Sequence, residues 1–304
     1  MLKQILMMRT RGLSGPLLRS SGVHSFVRSV GNWISLNGGG GGTIVSPEAQ
    51  AVLDRMDSLS EPERSAIINF VDYLVSQSVW DKIDDFWCFA LNNTNDDWLT
   101  GFKATNCTLS ASAPARTANG ASISSSVTSY ITIPKNINSF TNHQPADGSM
   151  GVFLQAATKP APSINPFFGV SVGTARAYMS FSGIWGEVRF SGGNGYNGTW
   201  SGRSYSDFTG GDVMLMTNSR PNFVDAYINA ESSTTPSTAV TLLPAGTPLV
   251  GAYKTNGVVT NGMAKTISVA WVGAGSPSGV TYATLNVAIR NLLIDLGVAG
   301  VTPA

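Results

Sequence analysis

Residues that commonly carry out catalysis are few in this sequence. The chain has 2 histidines, His24 and His143, and they lie far apart. A Ser-His-Asp or Cys-His arrangement could therefore form only around His143. This residue follows Asn142 and precedes a Gln-Pro pair, a context typical of a loop, so we expect its ring to be solvated. The histidines thus predict no nucleophilic centre.

The carboxylates give no pair suited to acid–base chemistry. A glycosidase needs two carboxylates that flank the scissile bond, and on one strand they would alternate so that both face the cleft. Glu187 lies on a predicted strand, but the residues two and four positions later are not acidic. The other acids of this region are isolated: Asp207, Asp212, Asp225 and Glu231. No HExxH, CxxC or phosphate-loop motif occurs. We therefore expect no catalytic residue and no cofactor, and a protein that is not an enzyme.

A run of oxygen-bearing side chains, residues 92–97, could supply calcium ligands. Its order does not match an EF-hand and Trp98 follows at once, so a polar loop is the commoner explanation. We expect no bound metal. The 2 cysteines, Cys88 and Cys107, either pair with each other or serve as small buried hydrophobes.

Residues 183–211 have the composition best suited to recognition. Sugar rings stack on aromatic side chains, while amide and guanidinium groups bind sugar hydroxyls. The aromatic candidates for glycan binding are Trp185, Tyr196, Trp200 and Tyr205, and the hydrogen-bonding candidates are Asn194, Asn197 and Arg203. In the alternative interpretation, Trp185 and Trp200 belong to a sandwich core and the glycines form hairpin turns.

The elements that would position these residues are mostly short strands. From residue 91 onward, apolar runs alternate with turn-forming pairs such as Asp147-Gly148 and Asn256-Gly257. Strands and helices do not alternate, which argues against a parallel α/β sheet. The pattern predicts a mainly β fold, an antiparallel jelly-roll β-sandwich. The predicted strands are 130–133, 151–155, 167–172, 177–181, 187–190, 213–217, 224–228, 249–253 and 266–272.

A helical hairpin is predicted before the sandwich, over residues 46–90. Ser46-Pro47-Glu48 is a helix start, and Ser60 with Glu63 forms a capping box. The first helix should bury Val52, Met56 and Leu59, and the second should bury Ile67, Phe70, Val71, Leu74 and Val75. The aromatic residues expected to join the hairpin to the next domain are Trp80, Phe86, Trp87 and Phe89.

The two ends of the chain differ in character. Apolar residues at helical spacing from Tyr282 to Leu296 predict a C-terminal helix that Gly297 caps. Residues 1–45 are basic instead, since the first carboxylate of the chain is Glu48. Their composition also resembles a targeting peptide, but we expect a retained, extended arm that leans on another protein. The run of glycines from 38 to 42 would act as a flexible joint.

The overall composition narrows the class of protein. Net charge is +1, so there is no general electrostatic case for binding nucleic acid. No run of about 18 apolar residues occurs, so we expect no membrane span. Charged residues make up 12% of the chain, against about 25% in an average soluble domain. That low fraction fits a protein buried in an assembly.

Several segments resemble one family. Residues 52–56, Val-Leu-Asp-Arg-Met, and 79–86, Val-Trp-Asp-Lys-Ile-Asp-Asp-Phe, are similar to a helical lead-in of phage and prophage proteins. In those proteins the lead-in precedes a concanavalin A-like (laminin G-like) domain, whose start and end residues 95–109 and 267–298 resemble. The likeness runs from Val52 to Val298. It implies a jelly-roll fold in a virion protein, and it carries no catalytic residues to this chain.

These observations predict a phage virion protein of the tail-fibre or receptor-binding type, assembled in the host cytoplasm. It would have an anchor arm (1–45), a helical hairpin (46–90) and a concanavalin A-like sandwich with a C-terminal helix (91–304). Its expected partners are other virion proteins through the arm, copies of itself as a homo-oligomer, and a host cell-surface glycan. The alternatives are a capsid decoration or head-fibre protein and a polysaccharide-cleaving enzyme.

Overall fold

The computed structural model describes residues 26–29, 32–35, 45–92, 95–157, 164–172, 175–182, 187–192, 198–200, 213–221, 223–229, 231–236, 243–260 and 264–304. The chain divides into two compact units, Met1–Ser46 and Pro47–Ala304. The first unit contains an antiparallel hairpin of strands β1 (Phe26–Ser29) and β2 (Asn32–Ser35). The segment predicted to be an extended arm therefore contains paired strands.

The second unit contains the helices and the remaining strands. In chain order they are α1 (Pro47–Leu53), α2 (Glu61–Ser76), β3 (Ile83–Cys88), β4 (Thr108–Leu109), β5 (Ala115–Thr117), β6 (Gly120–Ile123), β7 (Ile131–Thr132), β8 (Gly148–Ala157), β9 (Ile164–Val172), β10 (Ala175–Ser182), β11 (Glu187–Gly192), β12 (Gly198–Trp200), β13 (Val213–Arg220), β14 (Phe223–Ile228), β15 (Glu231–Pro236), β16 (Leu249–Val250), β17 (Tyr253–Thr255), β18 (Val258–Thr260), β19 (Lys265–Gly273) and α3 (Tyr282–Asp295).

The strands of the second unit form two sheets that make up a β-sandwich. One has the order β12-β11-β10-β9-β16-β7-β4, with β17 also paired to β9 and β18 paired to β17. The other has the order β15-β14-β13-β8-β19-β6-β5, with β3 paired to β19. Every described pairing is antiparallel except that of β17 with β9. The predicted fold class, a mainly β antiparallel sandwich with flanking helices, is confirmed.

Helices α2 and α3 pack against each other and against the eight-stranded sheet. The ring centres of Phe70 on α2 and Phe86 on β3 lie 4.5 Å apart. On α3, the guanidinium of Arg290 lies 5.4 Å from the ring centre of Phe153 on β8. The predicted capping box is present, since the Glu63 carboxylate accepts from the Ser60 backbone N–H at 2.8 Å. The predicted helical hairpin and C-terminal helix thus cover this sheet.

The predicted element boundaries needed corrections. Helix α1 ends at Leu53, so Met56 is buried in the loop that follows, outside any helix. Strand β3 lies at the end of the segment predicted to be helical, and it pairs antiparallel with β19. Almost every residue of β3 is buried, so its sequence shows neither the alternation of a half-exposed strand nor a helical period.

A buried carboxylate fixes the chain after β3. Asp85 is fully buried and accepts hydrogen bonds from three consecutive backbone N–H groups. The donors are Lys103 at 3.0 Å, Ala104 at 3.1 Å and Thr105 at 2.6 Å. A charge in the interior is tolerated only when it is hydrogen-bonded, and here the loop supplies the donors. Asp85 therefore has a structural role in joining β3 to residues 103–105.

Candidate binding site

A strip of aromatic and polar side chains lies on one face of β14. Because a strand alternates its side chains, Val224, Ala226 and Ile228 point to the buried side while Phe223, Asp225 and Tyr227 share the opposite side. The ring of Phe223 is 39% exposed. We call these last three residues, together with Arg220 of β13 and Thr234 of β15, the β14 strip.

An ion pair forms the centre of the β14 strip. Arg220 donates two hydrogen bonds to the Asp225 carboxylate, from Nε at 2.6 Å and from Nη2 at 2.8 Å. The hydroxyl of Thr234 donates a third at 2.6 Å. The hydrogen bond with Asp225 raises the pKa of Arg220 above its ordinary value. The guanidinium also lies 5.2 Å from the ring centre of Phe223. Charge and aromatic surface are therefore held in one arrangement.

The other end of the β14 strip leans on helix α3. The rings of Tyr227 and Tyr282 are stacked, with centres 5.1 Å apart and planes 12° from parallel. Burial raises the pKa of Tyr227, and the negative charge of Asp225 raises it further. Its phenol is therefore neutral at physiological pH and can both donate and accept a hydrogen bond.

The turn that leads into α3 is held by two polar side chains, Asp147 and Asn218. Asp147 accepts hydrogen bonds from the Gly275 backbone N–H at 2.8 Å and from the Ser278 hydroxyl. Asn218 of β13 accepts from the Ser276 backbone N–H at 2.8 Å. A Cβ on Gly275 would lie 2.3 Å from the Asn218 side-chain oxygen, so this close approach requires glycine. These contacts fix the start of α3 and with it the ring of Tyr282.

The chemistry of the β14 strip suits a polar ligand that contains a ring. Phe223 offers an exposed aromatic face, on which the C–H face of a sugar can stack. Arg220, Thr234 and Tyr227 offer hydrogen-bonding groups beside it. The exposed part of the strip is the end that carries Phe223 and Arg220, whereas Asp225 is buried and Tyr227 packs against α3, so a ligand would contact the strip from one side.

The glycan-binding residues predicted from the sequence stay a prediction. The structure describes only the backbone of Trp200, at the end of β12. The others lie outside the described residues: Trp185, Asn194, Tyr196, Asn197, Arg203 and Tyr205. The β14 strip was not predicted, because Asp225 is an isolated acid in the sequence. The alternation Phe223-x-Asp225-x-Tyr227 in a predicted strand was the signal that could have found it.

The prediction of a solvated loop histidine is wrong. His143 is 3% exposed, and its Nδ1 lies 3.1 Å from the Ser149 carbonyl oxygen and 3.3 Å from that of Gly273. The Asp84 carboxylate accepts from the backbone N–H groups of residues 141–143, at 2.7 Å from His143, and so draws the loop onto the sheet. Burial lowers the pKa of His143 below its ordinary value, so the ring is neutral.

The two cysteines, and Asp97 of the predicted polar loop, lie among contacts that hold the fold together. Cys88 and Cys107 are both buried and unpaired, and burial raises the pKa of Cys88 to about 12. Asp97 accepts from the backbone N–H and the hydroxyl of Ser58, at 3.1 and 2.9 Å. Within the described ranges, His, Cys, Asp and Glu side chains form no group of three or more that could hold a metal ion.

One cavity of about 360 Å³ lies near the start of α2, beside the end of α3. Its lining includes Glu63, whose carboxylate already accepts from the backbone N–H groups of Ser60 and Asn92, at 2.8 and 2.7 Å. Because capping and loop contacts occupy this carboxylate, we assign the cavity to the scaffold. In the part of the chain that the structure describes, no helix has the length and apolar character to cross a membrane.

Of the comparisons of this chain with known proteins, only the comparison with solved structures found similar proteins. No family model matches the chain, and no curated protein matches it. A Trypanosoma rangeli sialidase in complex with 2,3-difluorosialic acid has 10% identity and a TM-score of 0.46, over 73% of this chain and 34% of the sialidase. The botulinum neurotoxin serotype D binding domain has 12% identity and a TM-score of 0.47, over 68% and 50% of the two chains.

The receptor-binding domain of a botulinum neurotoxin C/D mosaic serotype has 11% identity and a TM-score of 0.48, over 67% of this chain and 51% of that domain. This chain thus spans between a third and a half of the length of these proteins. The matches correct the prediction that the protein is not an enzyme, because they include sialidases, and a sialidase is an enzyme. At such identities and TM-scores they assign no family and transfer no catalytic residue or substrate.

Proposed function

We propose that this protein is a component of a phage particle, of the tail-fibre or receptor-binding type, and that residues 47–304 bind a glycan on the host surface. The observation that carries the binding part is the β14 strip. It combines an exposed aromatic ring, Phe223, with fixed hydrogen-bonding groups on a sheet face. Glycan recognition by stacking and hydroxyl contacts needs this combination.

The division of the chain supports the particle part of the proposal. Residues 1–45 contain basic residues and no acid, and the boundary between the two compact units falls at Ser46. A basic terminal segment suits anchoring to other virion proteins, and a sandwich that forms its own core suits display. The resemblance of residues 52–298 to phage proteins agrees with this arrangement. Copies of the same chain would assemble side by side on the particle.

Deletion of residues 1–45 tests the anchor. We expect the truncated protein to melt at the temperature of the full chain, because the sandwich core among the described residues lies within the second compact unit, Pro47–Ala304. It should fail to join particles when it replaces the full chain during assembly, as measured by the protein content of purified particles. Normal incorporation of the truncated protein would contradict the anchor.

Attachment is tested with the full-length protein and cells of the strain on which the particles propagate. Added free protein should compete with particles for adsorption to these cells. The second measurement is the position of the labelled protein in whole particles. A position on the tail or baseplate supports the proposal. A position on the capsid lattice, without competition for adsorption, would favour the alternative of a decoration or head-fibre protein.

A further inference from the structure

The charges of the β14 strip cancel each other. The side chain of Arg220 is 36% exposed, while that of Asp225 is 5% exposed. A carboxylate so buried requires its partner, because an unpaired charge in that position would be strongly destabilising. The pair is therefore a fixed part of the sheet, and a ligand meets it as a neutral, strongly polar group.

An anionic ligand is disfavoured at such a pair. Its carboxylate would compete with Asp225 for Arg220 and would also approach the negative charge of Asp225 itself. A neutral sugar avoids this conflict. The two bonds to Asp225 use two of the five N–H donors of a guanidinium, and those that face outward can donate to sugar hydroxyls.

Neighbouring groups complete a site for a neutral ring. The guanidinium lies over one face of the Phe223 ring, and the residue is still 39% exposed, so a pyranose would stack on the other face and meet Arg220 at the ring edge. At the other end, Tyr227 is neutral and stacks on Tyr282, and its hydroxyl adjoins the buried side chain of Asn218, so this end of the strip is held in place. We infer that the β14 strip binds an uncharged saccharide and that the Arg220–Asp225 pair selects against acidic sugars. The inference rests on the proposed attachment function.

The test measures binding of small saccharides to the full-length protein by saturation-transfer NMR and by titration. The neutral probes are lactose, maltotriose, mannotriose and triacetylchitotriose. The acidic probes are 3′-sialyllactose, which differs from lactose by one charged sugar, and trigalacturonate. We expect binding of at least one neutral probe, with an affinity that does not change between low and high salt. Sialyllactose should bind no better than lactose.

Two variants and one control locate the binding. Phe223→Ala should weaken the neutral probe about tenfold or more, since a stacked ring is lost. Val258→Ala is the matched control, because Val258 is a 68% exposed apolar residue on β18, and it should bind as the wild type does. Asp225→Asn keeps the shape of the side chain but leaves the charge of Arg220 unbalanced, so it should bind acidic probes several-fold better, in a salt-dependent way. The melting temperatures of the three variants are compared with that of the wild type, to show whether each variant folds.

Other outcomes separate this inference from the proposed function. Wild-type protein that prefers acidic probes, or whose neutral binding survives Phe223→Ala, would overturn the inference. Wild-type protein that binds none of the neutral probes, yet competes with particles for adsorption, would also overturn it while leaving attachment intact. If the protein neither binds the probes nor competes, both proposals fail. If Asp225→Asn does not fold, the salt dependence of probe binding by the wild-type protein still tests whether the ligand is uncharged.

Discussion

A lysine inside the β-sandwich allows a quantitative test of the packing. Lys265, at the start of β19, is 3% exposed, and its Nζ lies 5.9 Å from the ring centre of Phe167 on the opposite sheet. It stands in register with Ile123 of β6 and Ala157 of β8. Replacing it by methionine keeps a long unbranched side chain and removes the charge. The perturbation therefore removes the buried ammonium group together with its contacts.

The expected size follows from the pKa. Burial lowers the pKa of Lys265 from its ordinary value of 10.5 to about 7. Between these two values the unfolded chain keeps a proton that the folded protein has lost, so the stability of the wild type rises with pH in this window. The loss of stability caused by burying Lys265 has its full size below pH 7 and disappears as the pH approaches 10.5. At about 1.4 kcal/mol per pKa unit it amounts to roughly 5 kcal/mol.

Urea denaturation of wild type and Lys265→Met, repeated across this pH range, measures the effect. We expect the variant to be more stable at and below neutral pH, by several kcal/mol, and the difference to shrink steadily as the pH rises. Titration of other groups cancels in the difference. Lys254→Met, on β17, removes a half-buried lysine and serves as the matched control. Parallel stability curves for wild type and Lys265→Met would refute the argument, because they would mean that Lys265 keeps an ordinary pKa in the folded protein.

The remaining predictions concern the helical segment, a buried carboxylate and the glycan site predicted from the sequence. Leu74→Asp should abolish folding, measured by circular dichroism, because Leu74 is fully buried. The control Ser65→Asp, on the exposed face of the same helix, should fold. A soluble, folded Leu74→Asp protein would show that the apolar stripe of this helix faces water. Asp85→Ala should lower the free energy of unfolding, measured in urea, by about 3 kcal/mol or more, because it leaves several backbone N–H groups without their acceptor. A loss under about 1 kcal/mol would contradict this structural role. Tyr196→Ala with Tyr205→Ala should bind host cells much less, by roughly ten- to a hundredfold for each aromatic ring lost, at a similar melting temperature, and unchanged binding would place the site elsewhere.

Local signals were sufficient for much of the fold. The second helix of the hairpin was predictable because its capping box and apolar stripe lie within one stretch of sequence, and both Glu63 and Leu74 behave as the pattern requires. The left-handed cap of the last helix was predictable for the same reason, and Gly297 has a φ of +74°. Each of the nine predicted strands overlaps strands of the structure, because turn residues bound them.

Features that depend on distant parts of the chain were not predictable in this way. His143 is buried because Asp84, 59 residues earlier, binds the backbone of its loop. The β14 strip requires the register of three strands, which sets Asp225 opposite both Asn218 and Thr234. No periodicity within one strand specifies that register. A single sequence therefore indicates which side chains share a face, while the pairing of strands decides which of them meet.

The geometry of the β14 strip also bears on how strongly a single copy can bind. Tyr227 is held by Tyr282, and Asp225 by Arg220 and Thr234, so little ordering is required when a ligand arrives. An open strip nevertheless contacts only one side of a sugar, whereas a closed pocket buries most of its ligand. Each site should therefore bind weakly and release quickly. On the proposed particle, several copies of the chain would bind at once, and simultaneous contacts would raise the overall affinity by orders of magnitude without any new contact at the single site. Attachment strength would then be a property of the proposed particle, and Phe223→Ala should weaken adsorption of particles more steeply than it weakens binding by the free chain.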